Sequence, residues 1–592
     1  MSGNHRGALV TRRGVVQGAA AGMFAAGVAT IISKETAAQE TYDAIVIGTG
    51  FGGSIATIAL NEHKKKTLVI ERGTFWVTPE TLGLPPGKAP ASFGNAAADW
   101  AKNRGMRVQY WPRPEHGIGL VDLFENRRHP GNPYGLHDYR RFRHAHILTA
   151  SGVGGGSLIY SNVNLRAQPD VLNRIGLKDF DDSRYSRAEK FMETYRGRLS
   201  AIVTKIPLPS GVSPEQFANF AIPGKDYLLL DRSRALRDAA RVVSKWLGIE
   251  LPWTPLRLSV TEYFDVKNDA GQIVKNEADS THTFCERQGR CMLGCLPQAR
   301  HTLNKTLYKW VLSSPNTPVT LSPESEVRTI KRVGDSYEVT YIDRRGEGAS
   351  QERTARAPQV FLAAGVLGTT EVLLRSRREG FLQLSDRLGY GFSTNGDFGA
   401  LSVGTRVTDE NGKVMETADG RTGKLSVYPT RGPINTCDVS FDKEGKHYTI
   451  EDAGIPSMFA KVVRTGLNDI EALRGLSDPV SFVTGQQSST ITSLMSAIRD
   501  RLFGKRKHDA SKDRHATEAE LIDDVFFFNA MSEDHANGFF YLRGDEIDLD
   551  WPANDPISEQ PCFGKLSSAT QWAASTRRCR LGRGCWSSLR RL

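Results

Sequence analysis

The residues best placed to do chemistry lie between Thr41 and Gly73. Gly48-Thr49-Gly50-Phe51-Gly52-Gly53 follows the apolar run Ala44 to Ile47 and opens a small-residue stretch, Ser54 to Leu60. A second apolar run, Thr67 to Ile70, ends in Glu71, about 20 residues beyond the glycines, where dinucleotide folds keep a carboxylate for a ribose hydroxyl. This order reads as buried strand, glycine turn, helix, strand, acid. Gly48 permits the tight turn, Gly50 lets backbone N–H groups approach a pyrophosphate, and Gly53 lets helix and strand pack closely. The helix N-terminus faces the anion. Glu71 suits an adenosine ribose without a 2′-phosphate, so the chemistry is redox through FAD or NAD and not NADP.

A second glycine stretch stands far down the chain, Ser151-Gly152-Val153-Gly154-Gly155-Gly156-Ser157-Leu158-Ile159-Tyr160-Ser161-Asn162-Val163. Glycine at four of five positions strips side chains from one surface, as a flat or bulky group against the backbone requires. A third cluster, Cys285, Cys291 and Cys295, has no fourth ligand at regular spacing nearby unless His282 or His301 serves. It reads as a structural loop, open to one disulfide, in preference to a metal site.

The elements that hold these residues are laid out in pieces. The chain has 592 residues, enough for two to four domains and a large core, and 39% of them are hydrophobic and 24% charged. The formal net charge is +11. Its excess gathers at the two ends without an aromatic-interleaved basic patch, so nucleic acid is not expected. Thr11-Arg12-Arg13-Gly14-Val15-Val16 heads a Gly/Ala-rich, weakly apolar run to Ile32, with Thr36-Ala37-Ala38 before Gln39, the pattern of a twin-arginine (Tat) export signal. That implies export as a folded protein to a bacterial periplasm or beyond. Residues 42–167 read as the first part of a nucleotide-binding domain, with a long Pro/Gly-rich excursion after Gly73 as a cover. Residues 168–281 read as a cap with helices over Ser186–Leu199 and Ser233–Trp246, and residues 282–398 as the second part of the nucleotide domain. Within that part Ala299–Asn304 introduces a helix expected to run to Leu312, and short strands are expected at 318–321, 326–330 and 336–342. A buried strand is expected at 360–365 and a helix at 368–374. Residues 399–551 form a second substrate segment with a charged insert at 504–514. The fold class is α/β, a Rossmann-type nucleotide domain discontinuous in sequence with an α+β substrate domain.

Taken together, the fingerprint Gly48–Gly53 with Glu71, the block 151–163, the cysteine loop leading into Ala299–Leu303, and Leu362-Ala363-Ala364-Gly365-Val366-Leu367-Gly368-Thr369-Thr370-Glu371 resemble the glucose-methanol-choline (GMC) oxidoreductases, within them the cholesterol-oxidase-like branch. The resemblance covers roughly residues 42–400. It implies FAD. It places Gly156, Ser157, Tyr160, Ser161, Asn162 and Val163 beside the isoalloxazine and Val327 at the adenine through its backbone. It further implies oxidation of a CH–OH group of a bulky alcohol, such as a sterol, with oxygen or another acceptor taking the electrons. Glu451, in Tyr448-Thr449-Ile450-Glu451-Asp452, resembles the acid that shifts a steroid double bond. It reads either as that acid or as a surface acid before a turn.

The sequence departs from the family after Trp551. The family's His-Pro-Leu-Gly-Gly-like stretch and its downstream asparagine segment are not found, and His535 is the last histidine. In their place stand Thr576-Arg577-Arg578-Cys579-Arg580-Leu581-Gly582-Arg583-Gly584-Cys585-Trp586 and Leu589-Arg590-Arg591-Leu592. This end reads either as a basic tail for an acidic partner or anionic lipid, or as a truncated or frameshifted remnant, in which case the chain would be a catalytically inactive flavoprotein.

Overall fold

The computed structural model describes residues 40–77, 108–110, most of 135–187, short pieces at 207–212, most of 230–304 and of 316–467, and 520–551. The export signal, most of the Pro/Gly-rich excursion, the insert at 504–514 and the arginine-rich end lie outside them.

Two short all-apolar runs build the centre of the nucleotide sheet. Ala44–Ile47 and Thr67–Ile70 are buried at every position, as strands covered on both faces must be. They pair in parallel, Ala44 opposite Thr67 and Ile47 opposite Ile70. Val319–Ser322 joins Thr67–Ile70 in parallel, and Gln359–Leu362 joins Ala44–Ile47, giving a four-stranded parallel sheet. The helix Phe51–Glu62 connects the central pair. The sheet draws strands from both ends of a span of some three hundred residues, and the expected α/β class is the one observed.

The strand Gln359–Leu362 corrects one expectation. Its apolar sequence reads as buried, yet Phe361 is 37% and Leu362 41% exposed. It pairs on one side only among the described residues, so it is an edge of the sheet. The helix after it starts at Gly365, three residues earlier than its pattern suggests, and runs to Arg378. Above the sheet lies an antiparallel meander of Ser325–Val333, Ser336–Asp343 and Gln351–Ala357, whose last strand also takes Glu40–Thr41 in parallel. Val327, Ile330, Val339 and Tyr341 of the meander pack with Ile45, Ile47, Leu68 and Ile70 into one core.

The second core belongs to a five-stranded antiparallel sheet ordered Phe398–Ser402, Phe526–Ser532, Lys446–Ala453, Cys437–Lys443, Trp253–Pro255. The helix Asp231–Leu247 lays Ala235, Leu236 and Val243 against Val439, Ile450 and Phe528 of that sheet. Ala299–Leu303 leads in without helix, Arg300 forming an isolated bridge with Val260, and helical geometry begins at Asn304. The rest of the helix expected there, and most of the one expected at 186–199, lie outside the described residues.

Candidate flavin site and a buried acid

Two glycine stretches separated by about a hundred residues meet backbone to backbone. A Cβ on Gly155 would lie 2.5 Å from the Gly50 Cα, and one on Gly53 would lie 2.0 Å from the Gly48 carbonyl oxygen. Neither position can carry a side chain while this contact is kept. Gly50 caps the N-terminus of Phe51–Glu62. Thr49 locks the junction: its Oγ1 accepts from the Gly154 N–H at 3.0 Å and donates to Glu71 Oε2 at 2.5 Å. Phe51, half-exposed, stands edge-on to the Tyr160 ring with centroids 5.6 Å apart.

Glu71 is buried and already engaged. Its Oε2 also accepts from the Thr49 N–H at 3.0 Å, and its Oε1 from the Gly73 N–H at 2.8 Å. Burial raises its pKa, while the bonds from Thr49 and Gly73 and the Arg72 charge pull it down. A carboxylate offers about four acceptor positions, so Oε1 keeps one for a ribose hydroxyl. Val327 follows closely in the chain on a residue that Glu71 holds: Glu71 O takes the Ser325 N–H at 2.8 Å, and Val327 sits at the bulge of the strand that begins there, its side chain in the core.

The block 156–163 divides in two. Gly156 is exposed, and Tyr160, Ser161 and Val163 are half-buried. Ser157 and Asn162 are wholly buried. The Ser157 hydroxyl donates to Gly154 O at 2.7 Å and accepts from the Leu303 N–H at 3.0 Å, so it serves the loop. Asn162 takes a left-handed backbone, φ +73°, and its Oδ1 accepts from Arg300 Nε. What this block presents outward is therefore the Gly156 backbone, the Tyr160 ring and parts of Ser161 and Val163, a face low in side chains. A cradle without side chains, a helix N-terminus and this bare face together fit a flavin dinucleotide.

Glu451 is no surface acid. It is 3% exposed on the strand Lys446–Ala453. Asn435 Nδ2 donates to its Oε2 at 2.8 Å, and Asn529 Nδ2 lies 3.4 Å from the same atom. Its pKa is pushed up to about 7 by burial and by Asp452, Asp438 and Asp397, against the bond from Asn529. The acid and the glycine block lie either side of the cysteine loop. Asn435 adjoins Ile434, whose N–H faces the Cys291 sulfur, and the Cys291 carbonyl accepts from Arg300, which in turn holds Ser157 to Asn162. Sequence reasoning missed Asn435, Asn529 and the role of Arg300. Only Arg300, inside a stretch already singled out, carried any signal.

Cys285, Cys291 and Cys295 are free thiols, so the loop holds no disulfide. No cluster of metal-ligating side chains occurs among the described residues.

No family model matches the chain. It is 26% identical over 369 residues to a cholesterol oxidase of Acinetobacter baumannii, a match covering 60% of this chain and 54% of the relative. It is 27% identical over 362 residues to a cholesterol oxidase of Mycobacterium tuberculosis strain CDC 1551 / Oshkosh, covering 60% and 52%. The chain thus spans about half the length of the curated relatives it matches. Among solved structures, a formate oxidase overlays at TM-score 0.39 with 14% identity, over 90% of this chain and 82% of that one. The sequence relatives carry the argument. Over the part that they match, the chain is similar to cholesterol oxidases, and FAD is the cofactor that this similarity supports.

Proposed function

We propose that this chain is an exported FAD-dependent oxidoreductase that oxidises the CH–OH group of a bulky alcohol, a sterol such as cholesterol being the substrate class tested first. The observation that carries the reading is the meeting of the two glycine stretches at Gly50 and Gly155, beside a bare backbone face. Bound FAD would supply the two-electron acceptor, with oxygen or another acceptor accepting the electrons in turn. The residues of the chain divide the rest. The Gly50 turn and the helix N-terminus receive the pyrophosphate, Glu71 Oε1 the ribose, the backbone at Val327 the adenine, and Gly156 to Val163 the ring system. Glu451, close to half-protonated near neutrality, is poised to take or return a proton, since a general acid or base works best with its pKa near the working pH. The twin arginines Arg12 and Arg13 direct a folded, loaded protein to export.

The alternative that the test must separate from this is a flavin binder without turnover. The test is a visible spectrum of the purified chain followed by anaerobic addition of cholesterol. Flavin bands that bleach support the oxidoreductase. Bands that persist with cholesterol and other bulky alcohols support the binder, and an absence of flavin after reconstitution with FAD overturns both.

A further inference from the structure

Two arginines are buried in the described chain to 1% exposure, and they differ in one respect. Arg232 has a carboxylate partner, with Nε donating to Asp452 Oδ2 at 2.7 Å. Arg300 has none among the described residues. Its five N–H groups go instead to neutral oxygens: Nε to Asn162 Oδ1, one terminal nitrogen to Leu158 O at 2.9 Å and to Cys291 O, the other to Ser157 O at 3.0 Å and Tyr160 O at 2.7 Å. Its Cζ also lies 5.1 Å from the Tyr160 ring centroid.

Carbonyl dipoles satisfy the hydrogen bonds of a guanidinium but leave its charge uncancelled. A buried charge is costly unless something compensates it. The neighbouring Cys291 thiol does not, because burial raises its pKa although Arg300 pulls it down. The stretch that Arg300 grips is the one whose other face is bare backbone at Gly156 and the half-buried Tyr160 and Ser161. A flavin gains negative charge on reduction, and a fixed cation behind a low-dielectric loop favours that charge more than it would in water.

We infer that Arg300 is the fixed cation of the flavin site, a positioning residue that shapes the stretch from Ser157 to Asn162 by its carbonyls and, through it, biases the bound flavin toward reduction. This rests on the FAD reading above, and it assigns the bias to charge and not to shape alone.

Two variants separate these contributions. Arg300→Lys keeps the charge and loses most of the hydrogen bonds; Arg300→Gln loses the charge. The readouts are the two-electron reduction potential by dye equilibration and the affinity of the bound flavin for sulfite, an anion that binds flavin where negative charge is favoured. Arg300→Gln is expected to weaken sulfite binding about tenfold and lower the potential by about 30 mV, the same tenfold in equilibrium constant, with Arg300→Lys staying close to the wild type. Equal losses in both variants, or none in either, overturn the inference. Should neither variant retain FAD, the wild type decides: tight sulfite binding supports the fixed cation and absent binding overturns it. A wild-type chain that takes up no FAD overturns the cofactor reading first and this inference with it.

Discussion

At the scale of the residue, Glu451 couples chemistry to stability. Its pKa in the folded chain is about 7, above the ordinary carboxyl value of 4.5. Between those values the folded state holds a proton that the unfolded state has released, so stability falls as pH rises through the window. The contribution is intact below the unfolded value and spent above about 7. Glu451→Gln keeps the shape and stays neutral. It should therefore match the wild type at about pH 4 and exceed it by on the order of 3 kcal/mol at about pH 9, read by urea denaturation at both. A variant less stable at the higher pH would refute the raised pKa. If Glu451 carries a proton in turnover, the same variant should cut kcat by about a hundredfold or more, the usual worth of a general acid or base. The acid itself was legible from its local sequence, but its environment was not. Asn435 and Asn529 reach it from 16 and 78 residues away, and no local pattern announces a contact that the order of strands creates.

At the scale of the element, the neighbouring residue on the same strand has the opposite task. Alternation along Lys446–Ala453 separates Glu451 from Asp452, which meets Arg232 of the helix Asp231–Leu247. Asp452 also accepts from the Thr436 N–H at 2.6 Å and the Cys437 N–H at 2.9 Å, and Arg232 donates to the carbonyls of Arg431, Pro433 and Ile434. One ion pair thus joins the helix, the strand and the loop that carries Asn435. Removing one partner of a buried pair strands the other charge, at a cost of about 3–5 kcal/mol. Arg232→Met should lose that much in urea denaturation, while Arg232→Met combined with Asp452→Asn should recover part of it. The strands show what sequence pattern can and cannot supply. Ala44–Ile47 and Thr67–Ile70 are apolar because both faces are covered, so they are legible. Gln351–Ala357, whose sequence is QERTARA, is exposed over its first four residues and has no apolar alternation to betray it; pairing with Ser336–Asp343 makes it a strand. Gln359–Leu362 errs the other way, since apolar composition cannot tell an edge from a centre.

At the scale of the whole molecule, the fold depends on two distant segments that must be free of side chains where they touch. Both fingerprints were legible as glycine patterns, but their contact was not, because nothing local to residues 48–53 specifies residues 152–156 as the partner. Two glycines make the distinction measurable. Gly155 and Gly248 both take left-handed backbone, φ +52° and +65°. A Cβ at Gly248, which ends the helix Asp231–Leu247, would meet nothing within 4 Å, whereas one at Gly155 would meet the Gly50 Cα at 2.5 Å. Gly248→Ala should therefore cost only the backbone strain, about 1 kcal/mol, and leave flavin content unchanged. Gly155→Ala must in addition push the two glycine stretches apart, for a total of about 2–4 kcal/mol. Because Thr49 ties that junction to both Gly154 and Glu71, the displacement should also open the nucleotide cradle. The checks are thermal denaturation and the ratio of flavin absorbance to protein absorbance after purification. Equal stability losses with equal flavin content in the two variants would mean that the contact between the glycine stretches does not hold the site.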